Sequence, residues 1–201
     1  MTPQRSPSVL RIVAAAVSHF AECGYHGSSL NEIATAVGIK KASLYAHFDS
    51  KDDLFMMVFE DALAEELAFV ADCFDQDDEA GAAYCRQMNP RYTASVWLRF
   101  LLHTAYLPPA HLRQRIIRGY RDYLQYLHTL FTQQLLRQPG LAKLTEEELA
   151  HFAQAYLGIV DGLHVELIYA DELSDSTDTF EKRRTALWTL LRQSLALAAQ
   201  P

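Results

Sequence analysis

The chain has 201 residues, of which 50% are hydrophobic and 21% are charged, and its formal net charge is -7. This length allows one large domain or two small ones, and the composition excludes wholesale disorder and a fibrous repeat. Charged residues and histidines interrupt every apolar run before it reaches the roughly 18 residues of a membrane span, and the pattern of a secretory signal is absent. The three cysteines are too widely spaced for a disulfide framework or a zinc knuckle. We therefore expect a reduced, cytoplasmic protein.

The negative charge is unevenly distributed along the chain. Acidic and basic side chains balance over residues 1–57, so the whole net charge of -7 lies on residues 58–201. An acidic body lowers non-specific attraction to polyanions, but it does not prevent a small basic surface from docking on one. The charge therefore permits nucleic-acid binding without arguing for it.

Nearly the whole chain shows the apolar spacing of helices, and no stretch sustains the alternation expected of a strand. An apolar stripe from Leu10 to Phe20 predicts a first helix, which Gly24 can close. Ser29 and Glu32 have the spacing of a capping box at the start of a second helix, in which Glu32 returns a bond to the Ser29 amide.

The second helix is predicted to end at a tight turn. Gly38 can adopt the positive φ that such a turn requires, and a third helix is predicted over residues 41–48. Ser50 opens a fourth helix with a second capping box to Asp53. Two short helices joined by a tight turn have helix-turn-helix geometry.

Longer helices are predicted in the rest of the chain, over residues 92–106, 110–137, 146–169 and 180–198. Pro108 and Pro109 stop the first of these, because neither can extend the preceding helix. The pattern over residues 110–137 also fits two shorter helices. Thr145 and Glu148 form a third capping box. The predicted fold class is all-α, with about nine helices.

Basic residues lie at the start of the third helix. Lys40 and Lys41 occupy a position where the helix macrodipole disfavours cations by about a few tenths of a kcal/mol. This placement is easier to understand if a phosphate group or a base edge is their partner. The alternative is a solvated lysine pair before a core helix, and composition and spacing alone leave both interpretations open.

A series of short motifs runs through residues 24–55: Gly24-Tyr25, Ser28-Ser29, Ile33-Ala34, Val37-Gly38, Leu44-Tyr45-Ala46-His47-Phe48 and Ser50-Lys51-Asp52-Asp53-Leu54. Together they resemble the N-terminal domain of the TetR family of bacterial transcriptional repressors. The rest of the chain resembles only that family's looser pattern of a helical, divergent C-terminal domain. The resemblance implies a three-helix DNA-binding domain over residues 1–55 and an effector-binding and dimerisation domain over residues 56–201.

The resemblance also implies positions for DNA contacts. Ser29 is expected to touch a phosphate, aided by the amides at the N-terminus of the second helix. Base edges or flanking phosphates in the major groove are expected to face Lys40, Lys41, Ala42 and Ser43. Other phosphates are expected at Tyr45, His47 and Lys51. Many relatives have Ser and Gly where this chain has Lys40 and Ala42, which leaves the base preference open.

Repressors of this type pair their last two helices with those of a second copy. The residues expected in this seam are Tyr156, Val160, Leu163, Leu167, Leu187, Leu190 and Leu195. A dimer would place two recognition helices roughly 34 to 36 Å apart on a palindromic operator in double-stranded DNA. The alternative is that these apolar residues pack inside a monomer.

The middle helices of such repressors enclose an effector pocket. Here they mix apolar bodies with polar tips, which suits a small, largely apolar effector oriented by a few hydrogen bonds. The candidate lining residues are Trp97, Phe100, His103, Thr104, Tyr123, Tyr156 and His164. Aromatic residues at helical spacing are more often ordinary core residues, so this alternative stays open for each of the seven candidates.

Catalytic chemistry has no support in the sequence. The histidines lack metal-binding spacing, and a glycine-rich phosphate loop is absent. We therefore predict no catalytic residue, metal or cofactor. The predicted function is that of a dimeric repressor released from its operator by a small-molecule effector. The alternative is a helical DNA-binding architectural or partner-regulated factor without such an effector.

Overall fold

A computed structural model describes residues 5–76, 79–169 and 176–200 of the chain. Within these ranges the fold contains nine helices and no strand, which confirms the all-α prediction. The helices are, in chain order, α1 (Pro7–Gly27), α2 (Leu30–Val37), α3 (Lys41–Tyr45), α4 (Lys51–Gln76), α5 (Ala82–Ala94), α6 (Val96–Tyr106), α7 (Arg113–Arg137), α8 (Glu146–Tyr169) and α9 (Ser176–Ala198). No helix in the described ranges has the length and apolar character needed to cross a membrane.

The helices form two compact units. The first unit comprises residues 1–65 with 95–120, and the second comprises residues 66–94 with 121–201. The domain boundary predicted after residue 55 falls inside α4, and a division of function at that point stays a prediction.

The first unit is built around aromatic side chains from α1, α4 and α6. The ring of Phe55 lies 4.8 Å from that of Phe20 and 5.2 Å from that of Phe100, measured between centroids. All three side chains are buried. Ile33 and Leu44 are also fully buried, so α2 and α3 contribute apolar residues to the core of this unit.

The second unit has a core of large side chains from α5, α7, α8 and α9. Its fully buried aromatic residues are Tyr84, Tyr123, Phe131, Tyr156 and Phe180. Helix α8 packs against both α5 and α9, and one of its faces is buried from Ala153 to Ile168.

Local capping explains where several helices begin. Helix α8 starts after Thr145, as predicted: the Glu148 amide donates to the Thr145 hydroxyl at 3.2 Å, and the Thr145 amide donates to the Glu148 carboxylate at 2.8 Å. At α2 the Glu32 amide donates to the Ser29 hydroxyl at 3.2 Å, and the Glu32 carboxylate accepts from that hydroxyl at 2.7 Å. The backbone of Ser29 also bonds to the Glu32 carboxylate and helps to lower its pKa, in agreement with the predicted capping box.

The predicted helix boundaries agree with the structure only in part. Gly24, with φ 65° and ψ 178°, breaks α1 where the sequence predicted its end, and helical structure resumes after this kink as far as Gly27. Helix α3 ends at Tyr45 instead of residue 48. The helix predicted over residues 92–106 is divided at Ser95, which has an extended backbone. The Ser95 hydroxyl accepts from the Leu98 amide at 3.2 Å and so caps the start of α6.

Candidate functional site

A rigid turn joins α2 to α3. Gly38 has φ 76°, and its amide donates to the Thr35 carbonyl at 3.0 Å. The next amide, of Ile39, donates to the Ala34 carbonyl at 3.0 Å. These bonds satisfy carbonyl groups at the end of α2 and fix the direction in which the chain enters α3. The positive φ at Gly38 agrees with the turn predicted there.

Helix α3 presents an exposed surface next to this turn. The exposed residues on it and immediately around it are Lys40, Lys41, Ala42, Ser43, Tyr45 and His47. The fully buried Leu44 anchors the helix in the core. The Lys41 ammonium lies 5.8 Å from the centroid of the Tyr45 ring, which is 48% exposed. The structure therefore brings six of the eight predicted DNA-contacting residues to one accessible, basic surface, which we call the α3 surface.

Ser29 has a different environment. It is half-buried, and its hydroxyl accepts from the Glu32 amide at 3.2 Å. The Glu32 carboxylate accepts from that hydroxyl and lies 3.3 Å from His19 Nε2, and these bonds lower the pKa of Glu32. A phosphate contact at Ser29 would have to compete with this carboxylate.

Lys51 holds two parts of the first unit together. Its Nζ donates to the carbonyl oxygens of Tyr25 at 2.7 Å and Ser28 at 3.0 Å, and it lies 4.1 Å from the centroid of the Tyr25 ring. An ammonium group has three donors, so one is left for a phosphate. The sequence predicted only the phosphate contact. The two carbonyl groups lie 26 and 23 residues from Lys51 in the sequence, so no local sequence pattern predicts these bonds.

A second cluster missed from the sequence surrounds Asp52. Its carboxylate accepts a hydrogen bond from the Tyr25 hydroxyl and lies 3.1 Å from His111 Nε2. These bonds, that of Tyr25 first, lower the pKa of Asp52. Burial, followed by the bond to Asp52, raises the pKa of Tyr25 to about 12. The cluster links the end of α1, the first turn of α4 and the segment before α7.

The predicted effector residues are divided between the two units. In the first unit His103 and Thr104 line a cavity of about 350 Å³, together with residues from the end of α1 and from the segment after α6. We call it the α1/α6 cavity. Phe100 belongs to the aromatic core described above, and Trp97 is half-buried. The structure therefore brings His103 and Thr104 to a cavity and places Phe100 in the core.

The other predicted effector residues lie in a packed, hydrogen-bonded part of the second unit. The Tyr84 hydroxyl is 2.5 Å from that of Tyr123 and 3.2 Å from His164 Nε2, and it donates to the Glu66 carboxylate at 3.0 Å. Burial lowers the pKa of His164 to about 3. Tyr123, Tyr156 and His164 are all buried. A role for them in effector binding would require this core to open.

The predicted dimer seam needs correction. Its four α8 residues, Tyr156, Val160, Leu163 and Leu167, are buried inside the second unit because that face of α8 packs against the neighbouring helices. They are therefore not available to a second copy. The three α9 residues are accessible: Leu187 and Leu195 are half-buried and Leu190 is 61% exposed.

An accessible apolar groove lies between α8 and α9. It has a volume of about 380 Å³, and Phe152, Ile159, Leu187, Leu190 and Leu191 line it. The sequence could not show which face of α8 packs inside the unit, because both faces carry apolar residues. Among the described residues, no cluster of histidine, cysteine or acidic side chains could hold a metal ion.

Comparison with known proteins agrees with this architecture. Residues 12–57 match the sequence profile of bacterial regulatory proteins of the tetR family. The fatty acid metabolism regulator protein of Bacillus subtilis (strain 168) is 22% identical over 187 residues, which cover 93% of this chain and 81% of that protein. The biofilm operon icaADBC negative transcriptional regulator IcaR of Staphylococcus aureus (strain Newman) is 51% identical over 45 residues, but these cover only 22% of this chain and 24% of IcaR.

A solved structure extends the likeness to the whole fold. The FadR transcriptional regulator of Bacillus subtilis, in complex with stearoyl-CoA, superposes with a TM-score of 0.66 and 20% identity, covering 89% of this chain and 96% of FadR. The likeness shows the helical fold. Helices α2 and α3, joined by the turn at Gly38, have helix-turn-helix geometry and lie within the residues that match the tetR family profile. Residues 12–57 of the chain are therefore similar to the N-terminal region of bacterial regulatory proteins of the tetR family.

Proposed function

We propose that this protein is a regulator of the TetR family, and that it acts as a dimeric repressor that binds a palindromic operator and is released from it by a small-molecule effector. The observation that carries the proposal is the α3 surface, in which exposed basic and hydroxyl side chains stand on a helix fixed by the Gly38 turn. Such a helix can enter the major groove, where hydroxyl and ammonium groups reach base edges and phosphates. The description of IcaR as a negative regulator supports repression.

The α3 surface reads DNA in this proposal. Lys40, Lys41 and Ser43 face base edges or flanking phosphates, while Tyr45 and His47 contact phosphates further along. Lys51 contributes its remaining donor to a phosphate, and the amides at the start of α2 contribute a further contact. The balanced charge of residues 1–57 keeps the DNA-binding end free of the acidic excess carried by the rest of the chain.

The α8/α9 groove supports dimerisation. Leu190 is 61% exposed and Leu197 is 68% exposed on α9, and exposed apolar patches of this kind mark interfaces in soluble proteins. A second copy packed on this groove would bury the Leu190 side chain, and a dimer would present two α3 surfaces to the two half-sites of one operator.

Two findings support a small-molecule effector. The Bacillus subtilis relative is named for fatty acid metabolism, and FadR was solved with stearoyl-CoA. In this chain the α1/α6 cavity, lined by His103 and Thr104, provides space for a ligand. Release requires that the effector bind more tightly to the DNA-incompetent state than to the DNA-bound state.

Selection of bound sequences from random duplex DNA tests the proposal. We expect a palindrome whose half-sites lie about one helical turn apart. Adding acyl-CoA thioesters of several chain lengths, and uncharged metabolites, to the operator complex then tests release. Binding without a preferred sequence would instead indicate the architectural alternative. A palindrome from which no compound displaces the protein would indicate regulation by a partner.

A further inference from the structure

We infer that the α1/α6 cavity binds an uncharged aromatic ligand that carries a hydrogen-bond acceptor such as a carbonyl oxygen. The inference rests on the proposed function, because it names the chemical class of effector for the site at His103 and Thr104. It is carried by the size of the cavity, the chemistry of its walls and the hydroxyl group of Thr104, which lines it.

The size and the walls favour a compact aromatic molecule. The volume of about 350 Å³ is at the lower end of the range of about 300 to 1,000 Å³ for ligand sites. A cavity of about 150 Å³ holds benzene, so this one suits roughly two fused rings. The apolar part of the wall is formed by Phe20, Tyr25, Phe55, Leu107, Pro108 and Pro109. Aromatic rings pack against such walls edge-to-face or offset.

Thr104 supplies the polar group that would orient the ligand. Its side chain is only 5% exposed and lines the cavity. A hydroxyl group can donate one hydrogen bond and accept others, so the Thr104 hydroxyl can donate to an acceptor that a ligand brings into the cavity. In a site with little access to water such a bond contributes to affinity and orients the ligand.

The charge of the wall excludes a strongly anionic occupant. Its residues include no aspartate, glutamate, lysine or arginine, and only His26 and His103 can carry a positive charge. A charged ligand would lose its hydration here without gaining a full counter-ion. The phosphate groups of a coenzyme A thioester therefore find no partner in this cavity, and a neutral ligand is favoured.

A thiol in the wall makes occupancy measurable. Cys23 is exposed and lines the cavity. The other two cysteines are buried, and burial raises the pKa of Cys73 to about 11 and that of Cys85 to about 12. Because the thiolate is the reactive form, a disulfide reagent at neutral pH modifies Cys23 first. A ligand in the cavity should shield it.

The experiment compares two probes of nearly equal size on the full chain. Acetylnaphthalene is neutral and offers a carbonyl oxygen, whereas naphthoate carries a carboxylate on the same ring. We expect acetylnaphthalene to slow the modification of Cys23 about tenfold or more, and naphthoate at the same concentration to leave it within about twofold. Thr104→Val should weaken the protection by acetylnaphthalene about tenfold, since it removes the donor and keeps the shape. Equal protection by both probes, or unchanged protection in Thr104→Val, overturns the inference.

Two further variants complete the test. Thr93→Val removes an exposed hydroxyl outside the cavity and should leave the protection unchanged. Leu107→Trp fills the mouth of the cavity from a side chain that is 64% exposed, so it should fold normally and abolish the slowing by acetylnaphthalene. Operator binding is measured separately on the same protein. If the operator is bound and Cys23 is not protected, the inference alone fails; if Cys23 is protected and no operator is bound, the proposed function fails.

Discussion

The rings of Phe131 and Tyr156 stack in parallel inside the second unit, with their centroids 4.3 Å apart and 2° between their planes. The Tyr156 hydroxyl donates to the Gly81 carbonyl at 3.4 Å. The stacked Phe131 ring restrains the face of the Tyr156 ring, and the bond to Gly81 restrains its hydroxyl group. Tyr156 is therefore a core residue, and the ring has little freedom to yield to a neighbour.

Gly81→Ala is the first prediction that follows. Gly81 has φ 73°, and a Cβ atom there would lie 2.5 Å from Cε2 of Tyr156. The left-handed backbone costs about 1 to 2 kcal/mol for a residue with a side chain, and the contact with the stacked ring adds overpacking of about 1 to 3 kcal/mol. We expect the free energy of unfolding, measured by urea titration, to fall by about 3 kcal/mol.

Gly38→Ala is the matched control. Gly38 also has a positive φ, of 76°, but nothing lies within 4 Å of the added Cβ. Only the backbone term applies, so the expected loss is about 1 to 2 kcal/mol. Equal losses for Gly38→Ala and Gly81→Ala would show that the Tyr156 ring moves aside.

Leu190→Arg tests the α8/α9 groove as the dimer seam. Leu190 is 61% exposed, so the change should leave the fold of one copy intact. In a dimer the twofold axis brings two unpaired charges into an apolar interface. This weakens the free energy of dimerisation by about 3 to 5 kcal/mol. Sedimentation should then show a monomer at concentrations where the parent is dimeric, and operator affinity should fall with it.

Leu136→Arg provides the comparison. Leu136 is a 43% exposed leucine on α7, outside the groove, so its replacement should keep the parental mass. Leu163→Ala, in the buried face of α8, should instead destabilise the chain itself by about 2 to 5 kcal/mol. A Leu190→Arg protein that sediments like the parent would remove this groove from the interface.

Local signals explain what could be predicted from the sequence. The start of α8 follows from two side chains three residues apart, Thr145 and Glu148, and the turn after α2 follows from one glycine, because both features depend on bonds within a few residues. The exposed residues of α3 could be predicted for the same reason, since Leu44 identifies the buried face of a short helix.

Long-range contacts explain what could not be predicted. Both faces of α8 are apolar, so the spacing alone could not say that Val160 and Leu163 face inward while Ile159 lines the groove. The bond between Asp52 and His111 joins residues 59 positions apart. The sequence around Asp52 and around His111 does not show whether the two side chains are bonded to each other or solvated.

Lys41 and Lys51 should differ in what they contribute. Lys41 is exposed on the α3 surface, so Lys41→Ala should weaken operator binding, lower the salt slope by about one unit and leave thermal unfolding unchanged. Lys51→Ala should also lower the salt slope by about one unit. In addition it removes the bonds to the carbonyls of Tyr25 and Ser28, so unfolding should become easier by about 1 to 2 kcal/mol.

Lys182→Ala is the control for both variants. It removes an exposed lysine on α9 that pairs with Asp178, and neither the salt slope nor thermal unfolding should change appreciably. A Lys51→Ala protein with parental stability would contradict the structural role of Lys51. An unchanged salt slope would contradict its phosphate contact.

The last prediction concerns His164 and pH. Burial lowers the pKa of His164 in the folded chain to about 3, whereas an unfolded histidine has a pKa of about 6.5. Below pH 6.5 the unfolded chain therefore binds a proton that the folded chain does not, and the free energy of unfolding falls by about 1.4 kcal/mol per pH unit until pH 3. Above pH 6.5 the contribution is fully present. Urea titrations at about pH 7.5 and pH 5 should differ by about 2 kcal/mol from this source.

Replacement of the imidazole separates His164 from the other groups that titrate in this range. His164→Gln should lower stability at both pH values, because it disturbs the bond to the Tyr84 hydroxyl at 3.2 Å. It should also remove about 2 kcal/mol of the difference between them, since glutamine does not titrate. His128→Gln is the matched loss of an imidazole on α7, and the comparison of the two variants isolates the share of His164. If His164→Gln retains the full parental difference between pH 7.5 and pH 5, His164 is not the residue that links acid to unfolding.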